Sequence, residues 1–171
     1  MSELELLHLI QNIHMPFLDE FMVFVSALGN HGMVWIAIAV VFLFGKKTRR
    51  CGLLMLISML ICLALGNGFL KNAIGRARPC WVDDTVQMLI AVPQDYSFPS
   101  GHTMHGFTAA VMIWLHNKKV GAAALVLAGV IAFSRLYLFV HYPTDVLAGF
   151  CIGTAVAMLV YKGERILRSR A

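Results

Sequence analysis

Long apolar runs dominate this chain and restrict what it can become. About 20 apolar residues in helical form cross the hydrocarbon core of a bilayer, where only helices and closed barrels satisfy their own backbone. Five stretches reach or approach that length: His31 to Gly45, Gly52 to Leu70, His102 to His116, Val120 to Val140 and Thr144 to Tyr161. The first and third are short and need extension at their ends or local thinning of the bilayer. Composition agrees, since 59% of residues are hydrophobic and 13% charged, against about 25% charged in soluble domains. The 171 residues are enough for one domain. The expected fold class is therefore all-α, a polytopic transmembrane helical bundle of five spans forming one membrane-embedded domain over 1–171.

Residues 1–30 read differently. Leu4, Leu6, Leu7, Ile10 and Ile13 recur at helical spacing, interrupted by Glu3, Glu5 and Gln11, until Pro16 breaks the pattern. Phe17, Leu18, Phe21, Met22, Phe24, Val25 and Leu28 follow, with Asp19 and Glu20 among them. Two adjacent carboxylates near the middle of a span are costly. Residues 3–29 are thus expected to form two amphipathic helices at an interface; the rival expectation is a sixth span. With no Lys or Arg in the first 30 residues, no signal peptide is expected. Cys51, Cys62, Cys80 and Cys151 lack metal-like or C-x-x-C spacing, so neither a disulfide nor zinc is expected.

Charge placement predicts the topology. Lys46, Lys47, Arg49 and Arg50 separate the first two spans, Lys118 and Lys119 the third and fourth, and Lys162, Arg165, Arg168 and Arg170 follow the fifth. If five spans alternate, these ten of the fourteen basic residues share one side, which the positive-inside rule makes cytoplasmic. The C-terminus is then cytoplasmic. Lys71, Arg76, Arg78 and Arg135 fall at the opposite face with eight of the nine acidic residues. The net charge of +5 belongs to this asymmetry, and no nucleic-acid partner is expected. The long loop over 73–99 lies on the outer side, and a loop of that length is usually functional or disordered.

Three clusters sit at the outer ends of spans, where charged groups need a reason. Lys71 and Arg78 are seven residues apart and share a face if the helix continues; the plainer alternative is a basic flank reaching lipid headgroups. Tyr96-Ser97-Phe98-Pro99-Ser100-Gly101-His102 is a loop running into a span. Ser100 suits the N-cap, the first amides of the helix bind anions, and Gly101 lets an oxygen approach the backbone. An ordinary capped helix start with an interfacial His is the alternative. In the third cluster, Ser134-Arg135 is followed by His141 and Asp145, with Pro143 between the last two. His141 is expected to end one helix and Asp145 to open the next, leaving the carboxylate able to hold the imidazole N–H. Arg135 offers a planar fork for phosphate oxygens, and a structural ion pair is the alternative.

Together these residues supply three permanent cations, two histidines, one carboxylate and a glycine-containing helix start. That set suits phosphoryl transfer, in which positioned cations and N–H groups stabilise charge on the equatorial oxygens. One His can attack phosphorus and the other can protonate the leaving oxygen. Asp83, Asp84 and Asp95 lie in the loop without a His or Glu to complete a metal site, so they are expected to be solvated loop charges.

Lys71-x6-Arg78-Pro79, Pro99-Ser100-Gly101-His102 and Ser134-Arg135-x5-His141-x3-Asp145 resemble the three signature motifs of the type-2 phosphatidic acid phosphatase superfamily, which also contains the vanadium haloperoxidases. The match covers residues 71–145 with no departure at a motif position. The chain is similar to the short bacterial membrane lipid phosphatases of that superfamily, including undecaprenyl diphosphatase-like members, many of which have a first transmembrane helix that residues 1–30 do not reproduce. The resemblance implies that His141 is the nucleophile forming a phosphohistidine, that Asp145 orients it, and that His102 is the general acid. It implies that Lys71, Arg78, Ser100, Gly101 and Arg135 bind phosphoryl oxygens, with no metal and no cofactor. Arg76, His105 and Tyr142 are not motif positions; they are expected to be structural, with contact to substrate as the alternative.

The implied function is dephosphorylation of a membrane lipid at the extracytoplasmic face of a cytoplasmic membrane. Undecaprenyl diphosphate is the leading substrate; phosphatidic acid or phosphatidylglycerophosphate fits the same motifs. A phosphate-binding membrane protein without catalysis and a vanadate-dependent halide oxidase are the competing classes. Nothing in the sequence sets an oligomeric state.

Overall fold

The computed structural model describes residues 2–170. Helix α1 (Glu3–Gln11) opens with a reciprocal cap: Ser2 Oγ accepts from Glu5 N at 3.2 Å and Glu5 Oε2 from Ser2 N at 2.8 Å. Helix α2 (Pro16–Leu28) starts on proline, whose fixed φ and missing N–H suit a first turn. The break expected at Pro16 is present. A 3-10 turn, Asn30–Gly32, leads into α3 (Met33–Phe44).

Helix α4 (Arg49–Leu63) continues through a wide π-helical stretch, Ala64–Leu70, into α5 (Lys71–Ile74). Gly75 stops it at φ 60, a left-handed conformation that glycine adopts without steric cost. After the short α6 (Pro79–Val82), the chain runs irregularly to Ser100. Helices α7 (Gly101–His116), α8 (Lys118–Tyr137) and α9 (Pro143–Ser169) complete the bundle. Asn117 caps α8, its Oδ1 accepting from Lys119 N and Val120 N. No strand occurs among the described residues.

Three segments are long and apolar enough to cross a membrane: Arg49–Val82, Lys118–Tyr137 and Pro143–Ser169. Pro16–Leu28 and Asn30–Phe44 add a fourth if the pair, bent by 47°, is one broken span. The expected five are therefore not reached by length and composition. Two expected spans account for the difference. The His31–Gly45 stretch holds a helix of only 12 residues. Helix α7, with 16 residues, is about 24 Å long.

Helix α7 is the axis around which the others pack. Its Ala109, Ala110 and Met112 are fully buried against Trp35 of α3, Met55 of α4 and Ala128 of α8. Large apolar side chains such as Phe44, Leu60, Val126 and Leu159 face outward, the pattern of a bundle whose surroundings are apolar. Gly149 and Gly153 let α9 lie directly on α7. A Cβ added at Gly153 would stand 2.4 Å from the Met104 carbonyl oxygen, and one at Gly149 would stand 2.7 Å from that of Ser100. This small-residue seam brings the start of α9 to the start of α7, where Ser100 N donates to Asp145 O at 3.1 Å.

Helices α1 and α2 pack on the end of the bundle that carries the connection between α8 and α9. Leu7 and Met22 are buried there with Tyr137, Leu138, Phe139 and Val140. Polar contacts fix the docking: Gln11 Nε2 donates to Tyr137 O at 3.1 Å, the His14 and Tyr137 rings stack at 4.1 Å, and Tyr137 Oη donates to Asp19. The carboxylate that argued against burial is thus partnered.

Candidate active site

The nucleophile candidate sits on a turn held by packing. Helix α8 ends at Tyr137, and Phe139 adopts φ 57, a conformation costly for a bulky residue. Phe139 is buried, with the His8 ring 5.4 Å away. The turn reverses the chain and delivers His141 to the interior, where it is 1% exposed. The expectation that His141 ends α8 is not met: the helix stops at Tyr137, and His141 lies in the five-residue connection between α8 and α9. Asp145 does open α9, in its first turn.

Three donors hold the Asp145 carboxylate, which is fully buried. Ser97 Oγ donates to Oδ2 at 2.5 Å, Tyr142 N to Oδ2 at 2.9 Å and Arg76 Nη1 to Oδ1 at 2.6 Å. His141 Nδ1 stands 3.6 Å from Oδ2 and 3.4 Å from Ser97 Oγ. Nδ1 therefore faces acceptors and Nε2 faces the other way, 3.2 Å from Arg78 Nη1. A proton on Nδ1 leaves the Nε2 lone pair toward the cations. Burial, with Arg78 and Arg135 adding to it, pushes the His141 imidazolium pKa down to about 3.

Arg78 is the hub of the site. The continuous helix that would put Lys71 and Arg78 on one face is absent, since Gly75 ends α5 and Arg78 is extended. Arg78 reaches the site from a loop instead. Its Nε donates to Asp95 O at 2.6 Å, Nη2 to Asp95 Oδ1 at 2.7 Å and Nη1 to Val140 O at 2.7 Å. Lys71 is buried and pairs with the other Asp95 oxygen. Asp95 is thus no solvated loop charge: it bridges Lys71 and Arg78. Burial would raise its pKa, but Lys71 and Arg78 outweigh that and hold it at about 2. Arg135, 4% exposed, donates to Ser26 of α2, and its Nε has no partner among the described residues.

A cavity of about 840 Å³ joins these groups. Lys71, Arg78, Gly101, His102, Arg135 and His141 line it, so six of the eight expected site residues share one space. The other two stand behind its wall. Asp145 is screened by His141, and Ser100 is buried with its Oγ accepting from Thr103 Oγ1 at 3.0 Å. Ser100 occupies the N-cap position of α7 without a side-chain cap. His102 Nε2 lies 3.0 Å from Asn30 Oδ1. Ile36, Leu56, Leu60 and Leu63 carry the cavity wall into the apolar part of the bundle. Among the described residues no group of three or more His, Cys, Asp or Glu is arranged to hold a metal ion.

Sequence reasoning missed Arg76, Ser97, Asp95 and Asn30. Ser97 lies within the quoted second stretch and Arg76 two residues before a motif cation, so their positions were visible. Their partners, contributed by other segments, were not.

Comparison with known proteins gives the family of the chain. The chain is 34% identical over 156 residues to the undecaprenyl-diphosphatase of Sulfolobus acidocaldarius, covering 91% of this chain and 75% of that protein. It superposes with a TM-score of 0.78 on the crystal structure of the transmembrane PAP2 type phosphatidylglycerolphosphate phosphatase from Bacillus subtilis, at 31% identity, covering 95% of this chain and 84% of that one. The crystal structure of Aquifex aeolicus LpxE gives a TM-score of 0.76 at 30% identity, covering 93% and 94% of the two chains. With a PAP2 superfamily profile matching residues 50–167 as well, the chain belongs to the PAP2 superfamily.

Proposed function

We propose that this chain is a metal-independent membrane lipid phosphatase working through a phosphohistidine at His141. The reading is carried by one observation: Lys71, Arg78, Arg135, Gly101 and both imidazoles face a single cavity whose wall continues as aliphatic side chains. In the first half-reaction His141 Nε2 attacks phosphorus, the bond from phosphorus to the leaving oxygen breaks, and His102 gives that oxygen its proton. In the second, water gives a proton back to His102 and attacks phosphorus, releasing phosphate and freeing Nε2. The cations stabilise the charge on the equatorial oxygens throughout. Displacing Asp95 from Lys71 and Arg78 is the first event on binding, because a phosphate oxygen and a carboxylate oxygen compete for the same donors.

The preferred substrate is a polyprenyl diphosphate such as undecaprenyl diphosphate, supported by the relative of that name. Phosphatidylglycerophosphate is the second reading, supported by the Bacillus subtilis neighbour. Purified protein assayed for phosphate release on undecaprenyl diphosphate, phosphatidylglycerophosphate and phosphatidic acid separates them. The diphosphate is expected to turn over fastest, in EDTA, with inhibition by vanadate, whose trigonal bipyramidal form resembles the transition state. Release only with added metal would overturn the metal-independent reading.

Five crossings, by α3, α4 with its continuation, α7, α8 and α9, place the basic ends inside and the cavity at the extracytoplasmic headgroup level. A Gln87→Cys protein carrying Cys151→Ala is expected to react with an impermeant maleimide in intact cells. Lys118→Cys in the same background is expected to react only after lysis. The reverse pattern would invert the topology.

A further inference from the structure

Asp145 is the group that orients His141, and its own orientation rests on a residue far away in sequence. Ser97 and Tyr142 N both address Oδ2; Oδ1 is held by Arg76 Nη1 at 2.6 Å. The other terminal nitrogen, Nη2, donates to Glu3 Oε2 at 2.6 Å. A guanidinium is a rigid plane, so one acid on each terminal nitrogen fixes its position. The Tyr142 ring, 4.0 Å from the guanidinium carbon, supports it from the side.

The second Glu3 oxygen is equally occupied. Oε1 accepts from Thr144 N and from Thr144 Oγ1, each at 2.8 Å. Thr144 lies in the first turn of α9, whose amides have no partner within the helix. A carboxylate there also opposes the positive end of the helix dipole. Glu3 therefore caps the helix that carries Asp145 and clamps the arginine that grips Asp145. Burial works against its ionisation, but Thr144 and Arg76 outweigh that and hold its pKa below the ordinary carboxylate range.

We infer that Glu3 is a positioning residue for the reaction, acting through Arg76 on Asp145 and so on His141, and that α1 belongs to the catalytic apparatus. The inference rests on the reading of His141 as nucleophile. Its physical content is twofold. Without Glu3, the guanidinium keeps its Nη1 contacts to Asp145 and Thr144 Oγ1, at 2.6 and 2.7 Å, but loses its Nη2 anchor, so Oδ1 is held by a guanidinium fixed at one end only. Oδ2 and Nδ1 stand 3.6 Å apart, already past ordinary hydrogen-bond length, so a small shift of the carboxylate decides whether the ring is held. Glu3 also adds a negative charge to the side of His141 away from the cations, which favours the imidazole as it gains positive character on bonding phosphorus.

Glu3→Gln tests this with little change of shape. The amide oxygen can still accept from Thr144, while its NH2 faces the Arg76 donors. The expected result is about a tenfold fall in kcat, with KM within twofold of wild type and an unchanged melting temperature. Asp83→Ala is the control for docking of α1, because it removes the 2.8 Å contact with His8 and leaves both the His8 ring beside Phe139 and the Glu3 contacts in place. Its kcat is expected to equal that of wild type. In an Arg76→Gln background, Glu3→Gln is expected to cost nothing further, since its route is already cut. A wild-type kcat for Glu3→Gln, an equal loss in Asp83→Ala, or the same fold loss in both backgrounds would each overturn the inference. His141→Ala, run beside them, tells the two failures apart: retained turnover there would remove the nucleophile, whereas lost turnover with an unaffected Glu3→Gln would remove only the positioning role.

Discussion

His141→Ala is expected to lower phosphate release by at least about 10,000-fold, the scale seen when the nucleophile of an interdependent catalytic set is removed. The cavity wall also carries His31, His102 and His105, but the imidazole beside the Asp145 carboxylate is that of His141. His102 is committed to Asn30 at 3.0 Å and lies on a different helix. The protein should still fold, because His141 occupies a connection whose path is set by buried Tyr137, Leu138, Phe139 and Val140. Phosphate release together with a melting curve in detergent checks both parts. Turnover within tenfold of wild type would remove His141 as nucleophile.

The same residue gives a pH dependence with a definite sign. Burial first, then Arg78 and Arg135, hold its folded pKa at about 3, whereas an unfolded chain binds the proton near pH 6.5. Above about pH 6.5 neither state is protonated and the contribution to stability is complete. As pH falls from about 6.5 toward 3, only the unfolded chain takes up the proton, so that contribution is lost. The wild-type melting temperature should therefore fall more steeply over this interval than that of His141→Ala. Across neutral pH the imidazole is unprotonated, as a nucleophile must be.

Arg78→Lys is expected to damage both turnover and stability although the charge is kept. One ammonium cannot replace a fork whose Nε and both terminal nitrogens are occupied by Asp95, Val140 and His141. Loss of a positioned donor to the phosphoryl group costs roughly 100- to 1,000-fold in kcat. The carbonyls of Asp95 and Val140 lose their donor as well, at about 1–3 kcal/mol for each one left buried without a partner. Arg78 links the loop before α7 to the turn that carries His141, so the melting temperature should fall along with the rate. Lysine at this position with wild-type kcat would show that charge alone suffices there.

The route by which the chain met these requirements was only partly legible in its sequence. The motif residues could be named because cations and histidines are rare at the ends of apolar runs, and any such residue stands out. Arg76 was read only as structural and Asp95 as a solvated charge for the opposite reason: polar residues in a polar loop carry no signal of their partners. The spans show the same division. Periodicity and the position of Pro16 announced separate N-terminal helices. Nothing local announced that α2 and α3 form a bent pair, or that the 16-residue α7 is the central element.

What the sequence by itself determined is the helical class, the apolar surroundings, and the identities of the cations and histidines that gather on one cavity wall. These follow from local chemistry: a backbone in hydrocarbon must satisfy itself, and a charge there must have a purpose. Only the tertiary structure decided which groups face one another. Close approach at Gly149 and Gly153 sets Asp145 against the start of α7, a left-handed turn at Phe139 aims His141 inward, and docking of α1 brings Glu3 to Arg76. Those contacts join residues as many as 141 positions apart. Packing selects them, because each exists only where two surfaces fit, and no local run of side chains encodes that fit.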